Sequence, residues 1–165
     1  MKSKLSLLVN ICLCFLLSCV YISAQTVDEG FQPHSGQAGK DVVWVPTSYD
    51  LVETMLDLAE ITSEDYLIDL GSGDGRTVIA AAKRGIRALG IEYNPLMVAL
   101  SIKNAETEGV SEKAAFIKQD MFETDFSDAT VITMFLLTSI NLKLRPTLLD
   151  LKPWTRIVSN TFNND

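Results

Sequence analysis

Three glycines at alternate positions, Gly71, Gly73 and Gly75, interleaved with Ser72 and Asp74 and preceded by Asp69, are the stretch of this sequence best equipped for chemistry. They follow an apolar run (Tyr66, Leu67, Ile68, Leu70). There, glycines let the backbone turn with positive φ and leave no Cβ between main chain and ligand, so a small molecule can lie against the turn at a helix N-terminus. The spacing is G-x-G-x-G, whereas a dinucleotide site uses G-x-G-x-x-G, and Arg76 stands where its third glycine would be. Asp69 and Asp74 flank the turn, and fixed negative charge would repel a pyrophosphate. A ligand with an amino group and a sulfonium suits these acids better. Glu92 ends the next apolar run (Ala88, Leu89, Gly90, Ile91), where a carboxylate can accept from both ribose hydroxyls. A third run, 114–118, leads to Asp120, which can accept from an adenine amino group with Met121 or Phe122 against the ring.

The elements that must position these residues alternate. Leu51, Val52, Met55, Leu56 and Ala59 recur at helical spacing, with Thr47 or Ser48 as cap. A helix from Arg76 to Arg84 ends at Gly85, and a strand is expected over 86–92. Asn94 caps a helix with Pro95 in its first position, running toward Gly109. Strands are expected over 114–118, 129–136 and 155–159, with a helix after Pro146 carrying Leu148, Leu149 and Leu151. Strands alternating with helices imply an α/β fold: a Rossmann-like, doubly wound, mostly parallel sheet with helices on both faces. Ligands of such sheets bind outside the carboxyl ends of the strands, where Asp69, Glu92 and Asp120 all fall.

Three motifs in order, D-L-G-S-G-D-G-R, G-I-E-Y-N-P and K-Q-D-M-F, resemble those of the class I S-adenosylmethionine-dependent methyltransferases over about residues 42–162. V-P-T-S-Y-D-L-V-E-T-M-L, L-R-P-T-L-L and L-K-P-W-T-R-I-V-S narrow the resemblance to the small family that includes mitochondrial protein-lysine methyltransferases and exported bacterial relatives. The resemblance implies S-adenosyl-L-methionine as cofactor and a cofactor site of Thr47, Asp69, Gly71, Ser72, Gly73, Asp74, Gly75, Glu92, Tyr93, Asp120 and Met121. It implies protein lysine as acceptor, although the residues themselves leave the acceptor open. No catalytic residue is assigned, because in-line methyl transfer chiefly requires two groups held in line. The chain departs from the family at Trp154, where a glycine is expected, and it is expected to lack the last two strands of the fold.

Residues 1–24 read as a secretory leader: Lys2 and Lys4, then an uncharged apolar run, then Ser23-Ala24. A retained membrane anchor over 5–22 is the alternative, and only that would bring a membrane partner. Residues 25–41 read as a linker, His34 included, and 42–165 as the methyltransferase domain. All three cysteines lie in the leader, so the domain is expected to hold neither disulfide nor thiolate metal site. At 165 residues and 47% apolar composition the chain can bury one core. Its net charge of −7 disfavours phosphate backbones, and thus nucleic acid, as a partner. The competing reading is an exported cofactor-binding or vestigial domain without turnover. An NAD-dependent oxidoreductase ranks third, given the glycine spacing and the lack of a proton-transfer histidine.

Overall fold

The computed structural model describes residues 30–161. The leader reading of 1–24 therefore lies outside the described residues. Helix α1 (Tyr49–Leu58) is capped by the Ser48 hydroxyl, which accepts from Leu51 N–H. It is followed by β1 (Tyr66–Leu70), α2 (Arg76–Lys83), β2 (Arg87–Glu92) and α3 (Pro95–Thr107). The chain continues through β3 (Ala114–Lys118), β4 (Val131–Leu136), α4 (Thr138–Leu149) and β5 (Arg156–Thr161). The five described strands form one parallel sheet in the order β3-β2-β1-β4-β5, with the chain reversing direction of travel between β1 and β4.

Alternation along the strands divides the core into two layers. Leu67 and Val131 point to one face, where Val52 and Leu56 of α1, Val78 and Ala81 of α2 and Ala105 of α3 bury them. Ile68, Leu70, Ile132 and Met134 point to the other, against Phe126 and the Ile140, Leu144 and Leu148 stripe of α4. The doubly wound expectation is thus met, with helices on both faces.

Three expectations change. The last helix begins at Thr138 and holds Pro146 in its interior, where a proline ordinarily ends a helix. The i, i+4, i+8 stripe of Ile140, Leu144 and Leu148 packs on the sheet and outweighs that preference. Strand β4 starts at Val131, because Ala129 N–H is used in a turn on Phe126 O at 3.1 Å. Residues 37–41, read as linker, turn back onto the domain and line its cleft. Trp154, in turn, takes a left-handed conformation of the kind glycine favours, with φ +80° and 94% of its surface exposed.

Candidate functional site

The turn between β1 and α2 is built from its neighbours inward. Gly71 and Ser72 N–H both donate to Ile91 O, at 2.9 and 3.1 Å, which fixes the turn against the end of β2. Ser101 Oγ donates to Gly73 O at 2.9 Å and Asn104 Nδ2 to Asp74 O at 3.0 Å, so α3 holds the far side. Gly73, at φ +55°, lies under the Trp44 indole; a Cβ there would stand 2.5 Å from Trp44 Nε1. Ser72 lines the cleft, but its Oγ is buried toward Gly90, 2.5 Å from where a Cβ on that glycine would stand, and has no hydrogen-bond partner among the described residues.

The acids differ in what they can still do. Asp69 is buried, and Thr133 Oγ1 donates to it at 2.7 Å. Burial, with the Glu92 and Asp74 charges behind it, pushes its carboxyl up to about 7 against the Thr133 and Thr77 hydroxyls. Asp74 lines the cleft, but Arg76 holds its carboxylate through Nε at 2.9 Å and Nη2 at 2.5 Å. The free anion expected there is already neutralised, and the same guanidinium also donates to Thr47 O. Glu92 accepts from Gly73 N–H at 3.0 Å and from Asn94 N–H at 2.9 Å, one bond to each oxygen, which leaves lone pairs on both. Asp120 accepts from Phe122 N–H at 3.1 Å and pairs with Lys40, whose ammonium lies 4.6 Å from the Tyr93 ring centroid. The Lys40 contact, then the Phe122 N–H, holds Asp120 below the usual carboxylate range.

Every residue expected at the cofactor site lines this one cleft except Gly75. Gly75 is corrected to a packing position: at φ +84° it caps α2, and a Cβ there would lie 2.7 Å from the Phe116 ring and 2.8 Å from Ser101 Cβ. It therefore does the close helix packing that the third glycine of a dinucleotide turn does. Lys40, Trp44, Arg76 and Phe135, absent from the expected set, also line the cleft. The apolar Val42-Val43-Trp44-Val45 run beside the Thr47 turn was the signal available for the first two.

The cleft suits a nucleoside sulfonium. The Cβ-free surface at Gly71 and the spare acceptor capacity on both Glu92 oxygens offer what a ligand with vicinal hydroxyls requires.

Comparisons with known proteins agree. The family model of the ANTKMT methyltransferase domain matches residues 69–164. A protein-lysine N-methyltransferase of Saccharolobus islandicus is 44% identical over 124 residues, 73% of this chain and 77% of that protein. The adenine nucleotide translocase lysine N-methyltransferase of Mus musculus is 34% identical over 123 residues, 73% of this chain and 53% of the mouse protein, so the chain spans about half the length of that animal relative. Among solved structures, an RNA methyltransferase from Salinibacter ruber in complex with S-adenosyl-L-homocysteine is 48% identical with a TM-score of 0.69, covering 72% of this chain and 79% of that one.

Proposed function

The chain belongs to the ANTKMT methyltransferase domain family and is an S-adenosyl-L-methionine-dependent methyltransferase; we propose that its acceptor is the side-chain amine of a protein lysine. The observation that carries this reading is the apolar part of the cleft. Met134, Phe135, Leu136 and Ile140 line it from the end of β4 and the start of α4, and Trp44, Val45 and Pro46 line it from the N-terminal segment. An alkyl chain packs well along such a wall, and desolvation there lowers the pKa of an ammonium, which favours the neutral amine that attacks. A nucleobase would instead call for polar groups at the end of β4, where Met134-Phe135-Leu136-Leu137 stand.

When bound, the cofactor supplies an activated methyl group on a sulfonium. The work left to the chain is to hold the two groups in line, with Glu92, Asp120 and the glycine turn on one side and the apolar wall on the other. The name of the Saccharolobus relative supports lysine and that of the Salinibacter relative supports RNA. The net charge of −7 favours the former. Export through residues 1–24 belongs to the same proposal, motivated by Lys2, Lys4 and the apolar run behind them.

The test is transfer of labelled methyl groups from S-adenosyl-L-methionine by the full chain, offered either a protein mixture or total RNA. Label in protein, lost when the lysines are chemically blocked beforehand, is the expected result. Label in RNA alone would overturn the proposal.

A further inference from the structure

Residues 37–47 cross the cofactor cleft and are fixed at both sides of it. At one side, Gly36 N–H donates to Trp44 O at 2.8 Å and Trp44 N–H to Gln37 O at 2.9 Å, closing the segment into a loop. The base of that loop rests on the domain through Trp44 over Gly73 and through Gln37 Nε2, which donates to Met97 Sδ at 3.7 Å. At the other side Lys40 bonds Asp120 and covers Tyr93, while Val42 packs against the sheet's core and Thr47 O accepts from the Arg76 guanidinium. Among the described residues, no backbone hydrogen bond of residues 38–43 joins the loop to the sheet or helices. Asp120 and Tyr93 follow the ends of β3 and β2, so the Lys40 contact spans the strand ends where the sequence places the adenosine.

We propose that residues 37–47 are a strap over the cofactor and that Lys40, through Asp120 and Tyr93, is the latch that sets how fast cofactor product leaves. The inference rests on the cofactor reading above. Lys40 is a positioning residue: it is the ionic tie of a loop otherwise held by packing, with Trp44 on the glycine turn and Val42 on the core. The latch is exposed and ionic, so it is weak and sensitive to salt, as a latch that must open in every turnover requires.

The experiment compares the full chain with Lys40→Met and Lys40→Arg. Hydrogen exchange in a peptide spanning 36–47 reads the free protein. Lys40→Met is expected to exchange about three- to tenfold faster, from loss of an exposed ion pair and a cation–π contact, while Lys40→Arg keeps the protection. High salt should bring the original chain toward Lys40→Met. In a Trp154→Gly background Trp44 is the sole tryptophan. Its fluorescence then follows release of S-adenosyl-L-homocysteine, expected to be faster in Lys40→Met by a similar factor. Unchanged exchange would overturn the latch. Slower release would overturn it too, and would make Lys40 a competitor for Asp120. Failure of the original chain to bind S-adenosyl-L-homocysteine would overturn the cofactor reading, a result the exchange measurement alone cannot produce.

Discussion

Glu92 Oε2 accepts from the backbone N–H of Gly73 at 3.0 Å, while its other oxygen accepts from Asn94 N–H at 2.9 Å. One carboxylate at the end of β2 therefore holds both the glycine turn and the N-terminus of α3. A residue expected only to bind ribose is also part of the turn's frame.

That double role shapes the first prediction. Glu92→Ala should lower S-adenosyl-L-methionine affinity by about 10- to 100-fold, the range of charge-assisted hydrogen bonds, and should lower stability by about 1–3 kcal/mol by leaving two N–H groups unpaired. Glu92→Gln keeps one acceptor oxygen and should fall between. Calorimetric titration and denaturant unfolding of the same samples separate the two effects.

Gly73 and Gly75 should fail differently when replaced by alanine. A Cβ on Gly73 meets Trp44 in the strap, so Gly73→Ala should weaken cofactor binding most. A Cβ on Gly75 meets Phe116 and Ser101 away from the cleft, so Gly75→Ala should act on folding, by about 1–3 kcal/mol from overpacking. Comparable unfolding midpoints for the two variants would contradict this division.

Asp69 gives a pH dependence with a definite sign. Its carboxyl is held up at about 7 in the fold, whereas an unfolded Asp titrates near about 4. Between those values the native state holds a proton that the unfolded chain does not. The contribution of Asp69 to stability therefore declines as pH rises from about 4 to about 7 and levels off above. Asp69→Asn should flatten the melting temperature across that window while keeping an acceptor for Thr133. Asp65 works in the opposite direction. Burial pushes its carboxyl up, but the Arg156 guanidinium and the hydroxyls of Thr130 and Thr62 bring it down to about 2, so the stability it provides is lost as pH falls below about 4.

Trp154 stands in a conformation that favours glycine, with its indole in solvent. Trp154→Gly should raise stability by about 1 kcal/mol, because strain is relieved and little packing is lost. A lower denaturant midpoint would show that the indole makes a contact worth more than the strain.

Much of this was legible because local signals and global packing agree. The strand, glycine turn and helix over 66–83 follow from one apolar run and three glycines, and the acids at the strand ends follow from the periodicity of a parallel sheet. The start of α4 is not legible, although Ile140, Leu144 and Leu148 carry the stripe, because Pro146 is a strong local stop signal. Gly75 looked like its two neighbours in sequence; only Phe116 and Ser101, brought in by β3 and α3, show it to be a packing residue. The strap is hidden in the sequence for a related reason. Gly39 and Gln37 have the composition of a linker, and their position depends on Trp44 and Lys40 finding partners far along the chain.

The most direct measurement is site-resolved mass spectrometry of a protein mixture treated with the full chain and S-adenosyl-L-methionine, alongside Glu92→Ala at the same concentration. New methyl groups on lysine Nζ, greatly reduced with Glu92→Ala, are the predicted result. Methylation confined to RNA, or cofactor binding with no transfer to any lysine, would contradict a protein-lysine methyltransferase.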